Sequence, residues 1–243
     1  MAAKFEITEA TPADAESIAS LFAISWASPF SRLQFGQTEP SHLAASMVSR
    51  ISEQISKEDH RFIVARHQHT REVAAVAQWT VPANAAGTSV VEETEEDKIE
   101  RQQFDDEIYE RSLPDSSNKP LVMEFTRSLR QLKDQNLQGR QHFLLENLAT
   151  RPCYRGMGLA TRLIEWAFPL ADEKHTLVYL DTASDNPAAQ LYKKLGFVEQ
   201  GRSTIVDFCK YASTEQIQTF GCDIQHTHVA FLRFPKLPAS SEI

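Results

Sequence analysis

Residues 146–167 read ENLATRPCYRGMGLATRLIEWA, and the order of residue types in this stretch decides the fold. An apolar strand, QHFLLENLAT, ends near Thr150; a loop holds Arg155-Gly156-Met157-Gly158; a helix, TRLIEWAFPLADE, begins at once. Glycines in such a loop let backbone N–H groups approach a bound group without interference from Cβ. The first turn of the following helix adds unsatisfied donors and a partial positive charge, a combination that favours a pyrophosphate. Arg151, Arg155 and Arg162 place full charges nearby. A tight strand-to-helix turn would use the same glycines, so the loop alone does not settle a function.

Working outward, TLVYLDTA at 176–183 reads as a strand and NPAAQLYKKLGF at 186–197 as a short helix entering a turn. Two strand-like runs follow, at about 197–208 and 223–234. Pro169 is expected to kink or end the helix that contains it. Toward the N-terminus, FEITEAT opens as a strand, and TPADAESIASLFAISW as a helix, with Thr11 able to cap and Pro12 suited to the first position. Ile18, Leu21, Phe22 and Trp26 form its apolar stripe. After a loop through Pro29 and Pro40, Leu43, Met47, Ile51 and Ile55 recur every four residues, a second amphipathic helix. RFIVAR and EVAAVAQWTV are two strands around a turn at 67–71. Strands and helices alternate, so the expected class is α/β with a mixed central sheet flanked by helices.

Between about 82 and 140 the pattern changes. Residues 92–111 hold ten acids and three bases, and so carry most of the formal net charge of −8. Leu121, Phe125, Leu129 and Leu132 then suggest an amphipathic helix ending near Gly139. With too few apolar positions for a core of its own, this region is expected to be a helical insertion before the central strand, within a single domain spanning 1–243. The 243 residues, 42% hydrophobic and 24% charged, suit a globular domain. No basic face or stripe points to nucleic acid, and no run of about 18 apolar residues points to a membrane. Cys153, Cys209 and Cys222 make no metal-like spacing, and no metal is expected. Cytoplasm is the expected compartment, with a nuclear pool left open.

The loop resembles the acyl-CoA loop of the GNAT family of N-acetyltransferases, whose pattern is Gln/Arg-x-x-Gly-x-Gly/Ala; here it is Arg155, Gly158 and Ala160. A second family signature, Leu191-Tyr192-Lys193-Lys194-Leu195-Gly196-Phe197, follows in the family's order and spacing. The opening strand and helix and Ala77-Gln78-Trp79 are also similar, and Trp166 to Asp172 resembles fungal-type members. Residues 82–140 have no counterpart in the resemblance.

The resemblance implies an acetyl-CoA-dependent transfer to an amine, by direct attack in a ternary complex. The strands around the loop would splay to admit the pantetheine arm along Leu148, Ala149 and Thr150. Gly156, Met157, Gly158, Leu159, Ala160 and Thr161, with Arg155, would hold the pyrophosphate. Tyr192 matches the tyrosine that commonly protonates the departing thiolate; the alternative is a tyrosine packed on the sheet. Where members often carry an Asn contacting CoA, this chain has Asp185, with Asn186 next, so either is expected there.

Glu146 is the candidate general base: period-two alternation puts it on the face of Leu144 and Leu148, with Asn147 facing the other way. Its alternative is a strand glutamate paired to a basic neighbour. Trp26, Phe30 and Trp79 are expected to line the acceptor pocket. His226 and His228 share one face of the last strand and are expected to be solvent-facing or hydrogen-bonded. The expected partner is a small-molecule amine, with a homodimer left open. A protein or peptide lysine acetyltransferase and a non-catalytic acyl-CoA-binding domain are the alternatives.

Overall fold

The structure is a computed structural model that describes residues 4–36, 38–82 and 94–236. Its centre is a sheet in the order β1-β2-β3-β4-β5-β7-β6. The strands are β1 (Phe5–Glu9), β2 (His60–His67), β3 (Val73–Thr80), β4 (His142–Thr150), β5 (Leu177–Ala183), β6 (Val198–Ile205) and β7 (His226–Arg233). Every neighbouring pair is antiparallel except β4 and β5, which run parallel.

Helices cover both faces of the sheet. Thr11 and Asp14 close a reciprocal cap at a 3-10 turn that leads into α1 (Ala15–Ser25). With α3 (Pro40–Ile55), α1 buries Ile18, Leu21, Phe22, Leu43, Met47 and Ile51 against Phe62, Val64 and Val76. The opposite face carries α6 (Leu159–Glu165) and α7 (Ala167–Glu173) over Ala75, Ala77, Trp79, Phe143, Leu145, Val178 and Leu180. Between α6 and α7 the helical bonding breaks at Trp166, three residues before Pro169, whose missing N–H cannot reach the turn below. Next comes α8 (Ala188–Lys194), on the same face.

The segment between β3 and β4 is helical where described: α4 (Glu95–Ser112) and α5 (Lys119–Leu137). Leu132 and Leu137 of α5 seal onto Tyr179, Ala230 and Leu232, on the same side as α1. That connection thereby supplies the cover for half of one sheet face. Its acidic helix α4 is mostly exposed, and the acids at 92 and 93 lie outside the described residues.

Two elements depart from expectation. Residues 29–35, expected as loop, form α2 (Pro29–Phe35): Ser28 accepts from the Ser31 N–H, Pro29 opens the helix, and Phe30 and Leu33 are buried. Between β6 and β7 a 3-10 turn at Phe208–Lys210 precedes α9 (Thr214–Phe220), capped by Ser213 and Gln216. Both helices have seven residues, too few for apolar periodicity to register. They pack on each other through Phe30, Leu33, Phe208 and Ile217. Among the described residues no helix is long and apolar enough to cross a membrane.

Candidate active site

The parallel pair β4–β5 is joined only across His142–Leu144 and Leu177–Tyr179. Past that point β4 stays with β3 as far as Thr150, and β5 stays with β7 as far as Ala183, so the two strands diverge. Their facing backbone edges lose their ladder partners there, which leaves polar groups that a ligand can satisfy. A cavity of about 900 Å³ opens at the divergence, lined by Leu144–Ala149 and Leu180–Ala183.

At the gap, β4 holds an extra residue. Gln78 pairs with Asn147 and Trp79 with Leu145, so Glu146 is the unpaired member of a β-bulge. The bulge overturns the expected faces: Glu146 shares a side with Leu144 but not with Leu148, which packs against the α6 core. Glu146 and Asn147 instead meet on the α1 side. Gln78 Nε2 donates to Glu146 Oε2 at 2.5 Å, Thr80 donates to Oε1, and Asn147 Nδ2 donates to Gln78 Oε1 at 2.9 Å. His60 Nε2 stands 3.9 Å from Oε1. The carboxylate thus borders the cavity with its orientation fixed from behind.

Tyr192 reaches the same cavity from the other side. It sits on α8 in the α6-side core, 6% exposed, against Phe197 and Phe231. Burial, and then the nearby Asp181 carboxylate, push its phenol up to about 12. Asn186 and Asp185 line the cavity beside it. Asn186 already has partners: its Nδ2 donates to Thr182 Oγ1 at 2.8 Å and its Oδ1 accepts from the Ala188 N–H at 3.0 Å. Asp185 is exposed.

After Thr150 the chain makes the 3-10 turn Pro152–Tyr154 and enters α6 through two left-handed glycines, Gly156 (φ 76°) and Gly158 (φ 74°). Among the described residues, the N–H groups from Gly156 to Thr161 have no protein acceptor, and bonding resumes where Arg162 donates to Gly158 O at 3.2 Å. Arg151 is engaged by Glu72 at 2.9 Å; Arg155 and Arg162 are exposed and, among the described residues, reach only backbone carbonyls. The loop lies outside the lining of the cavity. Leu159 is 2% exposed, and the Ala149 side chain points into the α1 core, so both can serve a ligand only through backbone.

The acceptor side is aromatic. Trp26 stacks between Phe22 and Phe35, and Phe30 meets Phe125 and Phe208 at ring distances of 5.0 and 5.4 Å. Trp26, Phe30 and Phe125 line the cavity. Trp79, expected with them, does not: it is 0% exposed on the α6 side, tilted against Trp166. Ala75 and Ala77 of β3 face α6, and Trp79 follows that register.

Three further cavity residues, Asp181, His226 and His228, carry no site assignment from the sequence. His226 stacks on Phe30 at 3.8 Å, and burial followed by the neighbouring His228 pushes its imidazole down to about 4. His228 Nδ1 donates to Asp181 Oδ1 at 2.9 Å. The 226/228 alternation gives their common face; only the fold reveals that this face is roofed by α5 rather than by water. Among the described residues no group of three or more His, Cys, Asp or Glu side chains is arranged to hold a metal ion.

A family model described as an acetyltransferase (GNAT) domain matches residues 128–199, which span β4, the glycine loop, β5 and α8. No curated protein matches the chain in sequence. Among solved structures, agmatine N-acetyltransferase superposes with a TM-score of 0.61 at 12% identity, covering 95% of this chain and 99% of that one. Arylalkylamine N-acetyltransferase 2 from Aedes aegypti gives 0.60 at 15% identity, over 96% and 100%. A protein described as histone acetyltransferase HPA2 and related acetyltransferase, from Corynebacterium glutamicum, gives 0.52 at 20%, over 97% and 98%. A strand pair splayed beside a glycine loop, in the segment that the family model matches, gives the chain a GNAT-like fold.

Proposed function

We propose that the chain, acting as one domain, is an acetyl-CoA-dependent N-acetyltransferase whose acceptor is a small-molecule amine with an aromatic body. The observation that carries this reading is a cavity that passes through the sheet at the splay. Tyr192 enters it from the α6 side, and Trp26, Phe30 and Phe125 line it on the other. A cofactor and an acceptor can therefore reach one point from opposite faces. Two of the fold's solved neighbours are named for amine acceptors, one of them arylalkylamines.

The residues fit acetyl-CoA. The partnerless N–H groups of Gly156, Met157, Gly158, Leu159, Ala160 and Thr161, with Arg155, suit a pyrophosphate. The edge of Leu148, Ala149 and Thr150 that β5 leaves unpaired suits the pantetheine amides, and one N–H there would polarise the thioester carbonyl. Asp185 and Asn186 frame the rim, Asn186 through whatever its cap leaves free. When bound, acetyl-CoA supplies an activated acetyl group.

Tyr192, with its phenol pushed up to about 12, remains protonated through the neutral range and donates to the departing sulfur. Glu146, fixed by Gln78 and Thr80, presents anionic charge to the incoming ammonium and receives its proton directly or through water. Exposed acids along α4, whose Tyr109 borders the cavity, add to the attraction for a cation.

Free-thiol release from acetyl-CoA, measured with tyramine, phenethylamine, agmatine and a lysine-rich peptide, tests the reading. Aromatic amines should give thiol and the matching amide by mass spectrometry. Release with the peptide alone would favour a protein acetyltransferase. Absence of release with every amine, while acetyl-CoA binds, would leave only a binding domain.

A further inference from the structure

The cavity holds a second carboxylate, and it is not solitary. Asp181 on β5 accepts the Nδ1–H of His228 on β7 at 2.9 Å, across adjacent strands and on the α1/α5 side of the sheet. A carboxylate can only accept, so this bond fixes the proton on Nδ1 and leaves the Nε2 lone pair as the ring's free acceptor. Nδ1 makes the ring's one protein hydrogen bond among the described residues, and His228 lines the cavity. Phe125 of α5 stands edge-on to the ring at 4.8 Å. Resting on the acetyltransferase reading, we infer that His228 is the base that takes the amine proton during attack, with Asp181 as the residue that orients it.

The placement on the sheet suits the division of labour. Asp181 and Thr182 are neighbours on β5 and point to opposite faces; Tyr192 lies with Thr182 on the α6 side, and His228 lies with Asp181 on the acceptor side. Acid and base therefore flank one strand end from opposite sides, as the leaving sulfur and the attacking nitrogen require. Glu146 differs: both its oxygens already accept protein donors, Gln78 and Thr80, which occupy the positions where it would take a proton. It suits the holding of an ammonium better than the removal of the last proton.

The proton balance closes. An ammonium acceptor gives one proton to Glu146 or to water, exposing its lone pair. Nitrogen bonds to the acetyl carbon, its remaining extra proton passes to His228 Nε2, and the C–S bond breaks with its pair on sulfur. Tyr192 protonates that sulfur, and its phenolate is refilled from solvent. One acetamide, one thiol and one released proton result. His228 touches Asp181 of β5 and His226 of its own strand; the other charged or titratable groups that line its cavity are Asp185, Glu146, Arg50, Tyr109, Arg130, Lys133 and Tyr192, and Ser203 beside it on β6 is uncharged.

His228→Gln and the near-isosteric Asp181→Asn are the test pair. Each should lower kcat/KM for the amine by about 10²-fold and remove the acidic limb of its pH profile, with the shift of the unfolding midpoint by acetyl-CoA unchanged. A readout apart from turnover is nitrogen NMR of the labelled imidazoles without acetyl-CoA: titration with tyramine should move the His228 Nε2 resonance. The assignment is overturned if His228→Gln keeps kcat/KM and the limb, if Glu146→Gln alone removes the limb, or if tyramine leaves that resonance in place. Should the wild-type protein release no thiol with any amine, the transferase reading falls, and the titration still judges His228 separately.

Discussion

Tyr192 is 6% exposed and packs on Phe197 and Phe231, yet it borders the cavity. Tyr192→Phe keeps that packing and removes only the proton. It should lower kcat by about 10²-fold or more, with the acetyl-CoA dependence of the unfolding midpoint intact. A loss of folding instead would mark a packing residue. His226 makes a second prediction. Its imidazole, shifted from the usual 6.5 down to about 4, is protonated in the unfolded chain before it is in the folded one. The stability from keeping it neutral is complete above about 6.5 and is lost as pH falls toward 4. His142 moves in the same direction through burial, so the acid loss is shared. His226→Phe, which keeps the stack on Phe30, should flatten the fall of the unfolding midpoint over that window; an unchanged slope would mean that the buried imidazole is not its source. At this scale the sequence was partly legible. Tyr192 could be singled out by its motif, whereas the face of Glu146 could not, since a bulge adds a residue that alternation counts as an ordinary one. Trp79 failed for a related reason: its aromatic character was visible, but its face depends on the register with β4.

Among elements, the entry to α6 is set by Gly158, whose φ of 74° a side chain disfavours by about 1 kcal/mol or more. A Cβ there would meet nothing within 4 Å, so the cost to the fold is conformational. Gly158→Val should therefore cost about 1–2 kcal/mol of stability through the backbone alone, and weaken acetyl-CoA binding at least about tenfold, about 1.4 kcal/mol, by standing where the phosphates are proposed to approach. Calorimetric titration checks this. On the same face, α7 is tied to β7 by a bidentate pair, Arg233 to Asp172, both bonds 2.8 Å, with Arg233 4% exposed and stacked on Phe168. Asp172→Asn strands a buried guanidinium and should cost roughly 2–3 kcal/mol in urea unfolding, the lower end because Asp172 is partly solvated. A loss under about 0.5 kcal/mol would contradict this. The long amphipathic elements α1, α3 and α5 were readable from their apolar stripes, while α2 and α9 were not. Seven residues hold only two or three apolar positions, and their Ser-Pro and Ser-x-x-Gln starts carried the only signal.

For the molecule as a whole, the mixed sheet was legible because strands and helices alternate, but the cavity was not. It depends on β4 and β5 parting after three paired residues and on α5 returning over β7 from the segment between β3 and β4. No local pattern encodes either. The amphipathic stripe of α5 announced that something would be covered, and only the assembled sheet shows that Phe125 and His228 meet there. The parting of β4 from β5 is proposed above as an acetyl-CoA site. Thermal unfolding with and without acetyl-CoA, CoA and dephospho-CoA decides it. At about 100 times the dissociation constant, a ligand that binds only the native chain adds about 2.7 kcal/mol, raising the midpoint by roughly 5–10 °C for a domain of this size. That rise is the expected result with acetyl-CoA and CoA, and Gly158→Val, at about tenfold weaker binding, should cut it by about half or more at the same concentration. An unmoved midpoint at millimolar ligand would mean that the glycine loop is only a turn and the gap between the strands only a gap.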